Sequence, residues 1–88
     1  MKIKDNLTEV AKSFPWQGFT IEVRKGKFFD QVFIMNNDKS KKSYVIMPEN
    51  TGQFEIRWYK FGKSTHKLCI GNGIEELKRE IQRLMNCS

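Results

Sequence analysis

Histidine and cysteine are scarce in this chain: there is one His, His66, and there are two Cys, Cys69 and Cys87. A Ser-His-Asp or Cys-His arrangement would therefore have to use His66 as its base. The strand pattern around His66 points instead to a structural or surface histidine, so no enzyme is expected. Zinc needs four ligands at a finger-like spacing, which this set does not supply, and neither a metal nor a cofactor is expected. Small secreted domains usually carry several paired cysteines. Here one cysteine falls late in an expected strand and the other at the C-terminus, and both are read as reduced thiols in a cytoplasmic protein. Glycines stand singly at turns, with no Gly-rich phosphate loop and no dinucleotide fingerprint. No apolar run approaches the ~20 residues that cross a bilayer. Met1-Lys2-Ile3-Lys4-Asp5 is basic but has no apolar segment behind it, so no signal peptide and no membrane partner are expected.

What is present suits one domain spanning residues 1–88. Apolar residues make up 39% of the chain, and seven Phe, two Trp and two Tyr offer ample surface to bury. Ile3, Leu7, Val10, Ala11 and Phe14 recur at helical spacing, with Asp5 as a start signal and Pro15 as a stop, which predicts a short helix over 5–14. The period then becomes two. Phe19, Ile21 and Val23 alternate with Thr20, Glu22 and Arg24 in a half-buried strand. Lys25-Gly26 predicts a tight turn with Gly at positive φ. A second strand over 28–35 is apolar on both parities except at Asp30 and Gln31, which marks a central strand covered on both faces. After the polar turn 36–42, Tyr44-Val45-Ile46-Met47 forms a third strand, stopped by Pro48. A turn at Asn50-Thr51-Gly52 leads to a fourth strand, in which Phe54, Ile56 and Trp58 alternate with Glu55, Arg57 and Tyr59. Phe61-Gly62-Lys63 turns into a fifth, where His66, Leu68 and Ile70 alternate with Thr65, Lys67 and Cys69. Asn72 and Glu75 form a capping-box variant ahead of a helix with Ile74, Leu77, Ile81, Leu84 and Met85 on one face. The expected fold class is α+β: a short N-terminal helix, a five-stranded antiparallel meander, and an amphipathic C-terminal helix packed on one sheet face.

The chain carries 16 Lys+Arg against 10 Asp+Glu, a net charge of +6. Such an excess favours an anionic partner. Residues 71–88 balance to about zero and residues 1–17 to about +1, so almost all the excess lies in the strands and their turns. A meander puts alternate turns at the same end. Lys39, Lys41, Lys42, Lys60 and Lys63 should then share one end, with Arg24, Lys25 and Lys27 at the other. If Phe19, Ile21, Val23, Phe54, Ile56, Trp58, Leu68 and Ile70 face the helix, the other face carries Thr20, Glu22, Arg24, Arg57, Tyr59, Thr65 and Lys67. One parity adds Phe29 and Phe33. Aromatics between cations on an open sheet stack unpaired bases in several modules. The same two phenylalanines fit a second reading, as core covered by the N-terminal helix or by a dimer partner. The lysine-rich turns also fit plain solubilising charge.

Several antiparallel strands followed by one helix resemble, in element order, the single-stranded-DNA-binding transcriptional coactivator fold. The hairpin and helix over 54–84 likewise resemble the sheet-reading DNA-binding domains of phage integrase arms and plant ethylene-response factors. No family-specific motif accompanies either likeness. The expected function is nucleic-acid binding, to DNA or RNA, by a small basic protein of phage or mobile-element type. The expected contacts are Arg24, Lys25, Lys27, Lys39, Lys41, Lys42, Arg57, Tyr59, Lys60, Lys63 and Lys67. The alternative is a non-enzymatic inhibitor or adaptor docking on a host protein through Trp16, the aromatic strand face or an open edge. Two free sheet edges also make a homodimer an expectation.

Overall fold

The change of hydrophobic period after Pro15 is a change from helix to sheet. The computed structural model describes residues 3–49, 52–60 and 63–86, without the side chains of 3–5 and 63–69. It contains α1 (Ile3–Lys12), five strands, β1 (Phe19–Arg24), β2 (Gln31–Asn36), β3 (Ser43–Pro48), β4 (Gln53–Lys60) and β5 (Lys63–Asn72), and then α2 (Gly73–Asn86). All neighbouring strands pair antiparallel in the order β1-β2-β3-β4-β5. The fold is therefore α+β, a meander with both helices on one sheet face.

That face holds the main core. Val32, Ile34, Tyr44, Ile46, Phe54 and Ile56 pack in one cluster with Leu7 and Ala11 of α1 and Leu77 and Ile81 of α2. The register explains the alignment, since Val32 pairs with Ile46 and Ile46 with Ile56, which stacks the same parity across three strands. The expected α2 stripe is the buried one: Leu77 and Ile81 are fully covered, and Ile74, Leu84 and Met85 pack around them.

Several boundaries differ from the sequence reading, each for a local reason. α1 begins and ends two residues early, at Ile3 and Lys12. Its C-terminal carbonyls are taken by side chains: Ser13 Oγ donates to the Val10 carbonyl at 2.7 Å and Trp16 Nε1 to the Ala11 carbonyl at 2.8 Å. β2 starts at Gln31, which leaves Phe28 and Phe29 in a longer β1–β2 loop that Lys25 Nζ and Asp30 Oδ2 close at 3.0 Å. Gly26 does not take the expected positive φ, which belongs to Gly18, Gly52 and Gly73. Gly26 is required by crowding, because a β-carbon there would collide with the Phe29 carbonyl oxygen. β2 is an interior strand, paired with β1 and β3 and buried at residues of both parities, as expected; β3 lies at the middle of the sheet. β5 corrects the expected parity: Cys69 pairs with Ile56, while Ile70 pairs with Glu55 and is 47% exposed on the face away from the helices. The register shift between Ile56 and Arg57 brings Lys67 opposite Arg57, as the alternation implies, and the shift between Arg57 and Tyr59 turns the parity once more, so that Ser64, and not the expected Thr65, pairs with Tyr59.

β5 passes into α2 without a linker. Asn72, expected as the helix cap, is the last residue of β5 and pairs with Gln53. Asn72 thus holds the position directly before the helix, and the start of α2 is also tied to the β3–β4 turn by the Gly73 N–H, which donates to the Gly52 carbonyl at 2.7 Å. Asn50, Thr51, Phe61, Gly62 and Cys87 lie outside the described residues, as do the side chains of Ile3, Asp5, Lys63, Thr65, His66, Lys67, Leu68 and Cys69.

Candidate functional site

The sheet face opposite the helices carries a second, smaller cluster: Phe33, Val45 and Tyr59 are buried, with Met35 and Met47 packed beside them. Phe33 is only 4% exposed although no helix covers it. Long side chains from neighbouring strands form its cover. The Arg24 guanidinium carbon lies 4.1 Å from the Phe33 ring centroid, and the Tyr59 ring meets Phe33 edge-on at 4.8 Å and 74°. Arg24 Nη2 also reaches the Tyr59 hydroxyl at 3.5 Å, and its Nε lies 3.6 Å from Glu22 Oε1. The Tyr59 hydroxyl is the main reason the Arg24 pKa is raised above the ordinary arginine value. The fold thus joins Arg24 and Tyr59, which are 35 residues apart. The backbone of Arg24 is at the expected end, but its charge lies over the middle of the open face.

Arg57 is committed differently. Its Nε contacts Glu55 Oε2 at 3.0 Å and its Nη2 contacts Glu55 Oε1 at 3.2 Å, a two-point pairing along one strand. Glu55 is 2% exposed, so the pair lies in the face with the carboxylate underneath, and the Arg57 pKa is raised chiefly by that hydrogen bond. Much of the Arg57 charge is therefore offset within the protein. The sequence reading passed over Glu55, although the i, i+2 spacing on a strand already put it on the same face as Arg57.

The lysine-rich end is built by the β2–β3 loop. Asn36 Oδ1 accepts from the Asp38 N–H at 2.9 Å, and Asp38 Oδ1 accepts from both the Ser40 N–H at 3.0 Å and the Ser40 hydroxyl at 2.7 Å. The Lys41 N–H donates to the Asp38 carbonyl at 3.0 Å and the Asn36 N–H to Ser43 Oγ at 2.8 Å. On the β1 side, Asn37 N–H donates to the Gly18 carbonyl at 2.8 Å, and the Thr20 hydroxyl donates to Asn37 Oδ1 at 2.7 Å. The two Ser40 bonds hold the Asp38 carboxyl below the usual aspartate range. Around this frame lies a groove lined by Met35, Asn36, Lys39, Lys41, Ser43, Tyr59 and Lys60. Three of the seven lining residues are lysines and none is acidic, so the groove presents positive charge beside an aromatic ring.

The remaining expected contacts are dispersed. Lys42 leaves this group: its Nζ sits 3.6 Å from the Trp58 ring centroid, and Trp58 packs against the helix-side core. Lys25 pairs with Asp30, and Lys27 Nζ lies 5.6 Å from the Phe28 ring, at the opposite end of the sheet. Lys63 pairs with Lys60 and Lys67 with Arg57 in the β4–β5 register, but their side chains lie outside the described residues. Phe29 is 38% exposed in the β1–β2 loop, so it does not join Phe33 on the strand face.

No family model, no curated protein and no solved structure matches this chain.

Proposed function

We propose that this is a non-enzymatic nucleic-acid-binding domain that grips the phosphate backbone at the lysine-lined end of its open sheet face. The observation that carries the reading is the groove in which Lys39 and Lys41 from the β2–β3 loop meet Lys60 from the end of β4 beside Tyr59. Lysines held around one hollow by an ordered loop neutralise adjacent phosphates and release their counterions, which drives binding. Arg24 extends the positive track onto the middle of the face. Phe33 and Tyr59, at 4% and 8% exposure, are poorly placed to stack on bases, so backbone contact supports the reading better than base contact on this part of the face.

The test is binding of labelled single strands and duplexes across a salt series. Affinity should fall steeply with salt, and the Lys39→Ala, Lys41→Ala double variant should lower the magnitude of the log–log salt slope by about 1.5 to 2. Absence of binding to either form at low salt overturns the proposal. The host-protein alternative draws less support, because Trp16 is half-buried against Phe19 and its indole N–H is bonded to the Ala11 carbonyl.

A further inference from the structure

Phe28 is the most exposed large apolar side chain among the described residues, at 79%. It stands in the β1–β2 loop, at the end of the sheet opposite the lysine groove. The loop has a definite shape. Lys25 and Asp30 close it, and Gly26 lets the chain pass against the Phe29 carbonyl. Phe28 thus stands in solvent, although burying a phenyl ring takes a large apolar surface out of water and is favourable. Lys27 Nζ lies 5.6 Å from the ring centroid, so a cation accompanies the exposed aromatic. The two rings on the open face of the sheet, Phe33 and Tyr59, are covered, and the Arg24 guanidinium lies over both.

We infer that Phe28 is a base-stacking residue and that the ligand of the proposed interface is single-stranded nucleic acid, crossing the open face from the lysine groove to the β1–β2 loop. This rests on the nucleic-acid reading above. An unpaired base offers an open π-face to Phe28 while the neighbouring phosphate meets Lys27. A duplex keeps its bases stacked on one another and offers no such face. The six residues of β2 separate the two contacts, about 20 Å at the rise of a strand. The site then takes on the order of four to six nucleotides, near the low end for sheet-based modules.

The experiment measures affinity of the intact chain for a short labelled oligothymidylate, for a duplex, and for vesicles containing anionic phospholipid, at low salt. The variants are Phe28→Ala, Phe28→Leu and Phe28→Tyr, changes at an exposed position that leave the core untouched. Ala and Leu should both weaken single-strand binding by about 5- to 100-fold, while Tyr stays within about twofold of the parent chain. Duplex affinity should not change. Undiminished single-strand binding by Phe28→Ala overturns the inference, and so does full retention by Phe28→Leu, which would mark an apolar wedge in place of a stacking platform. Equal losses on duplex and single strand overturn it as well, and so does a dependence on Phe28 that is seen with vesicles while nucleic-acid binding is unchanged. In these cases lysine-dependent nucleic-acid binding survives. Failure of the parent chain to bind any nucleic acid removes the underlying function too, so the two failures are distinguishable.

Discussion

The two faces of the sheet reach similar burial by different means. On one, Ile46, Phe54 and Ile56 are sealed by a second layer of helices. On the other, Phe33, Val45 and Tyr59 are nearly as inaccessible, but their cover consists of methionines and one arginine anchored on neighbouring strands. Helix cover is cooperative, because lifting it means undocking an element. Cover by a guanidinium on a flexible stem is removed by a rotamer change. A low exposure value therefore marks rigid core on the helix face and a lid of single side chains on the open face. The charged groups of the proposed interface lie on the open face, on long side chains that no second layer of structure covers.

The largest effect that sets the faces apart should come from deleting rings. Phe54→Ala should lower unfolding free energy by about 3–5 kcal/mol, because the enclosed site cannot collapse around the loss. Phe33→Ala should cost about half as much, since solvent and the methionines fill the space. Equal losses in denaturant titrations would break the comparison. A smaller effect sharpens it on the helix face alone. Gly71 pairs with Phe54, and a β-carbon at Gly71 would overlap the Phe54 ring. Gly71→Ala should destabilise by about 1–3 kcal/mol through overpacking, read in the same titrations.

The smallest effect lies at the lysine end. The Asp38 carboxyl, with a pKa below the ordinary 3.8 because of Ser40, favours the folded loop most fully above that value. The contribution fades as pH falls from 3.8 through the lower folded value. Carboxyl chemical shifts followed through an acid titration should show Asp38 as one of the last aspartates to protonate. Asp38→Ala should remove this dependence and loosen the β2–β3 loop while leaving both sheet faces intact. An Asp38 that titrates in the ordinary aspartate range would contradict the hydrogen-bonded frame described for the loop.

Much of the fold was legible because each element advertised its period. The stripe of α2 and the alternations of β1 and β4 are local patterns, and they led to the right faces. The misreadings share a cause. Phe28 and Phe29 look like strand residues by composition, yet β2 begins only at Gln31, where pairing with Arg24 becomes possible. Ile70 looks like core by alternation, yet the register shift beside Arg57 turns it outward. Gly26 was expected for its φ and is needed for a close approach. Periodicity carries no information about a bulge or about a carbonyl arriving from three residues away.

The candidate site was legible only in part. The sharing of one end by Lys39, Lys41 and Lys60 follows from the count of turns in a meander, and the groove they line agrees with it. That Lys42 would turn to Trp58, that Arg57 would be bound to Glu55, and that Arg24 would lie across Phe33 to meet Tyr59 could not be read in advance. By itself the sequence determined the helices, the meander and the basic sheet, because backbone period, turn residues and net charge are local or additive properties. Only the tertiary structure decided which cations gather around a groove, which lie against a ring or a buried carboxylate, and which phenylalanine stays in solvent. Those outcomes depend on the inter-strand register and on the reach of long side chains between strands distant in sequence, quantities that no local pattern encodes.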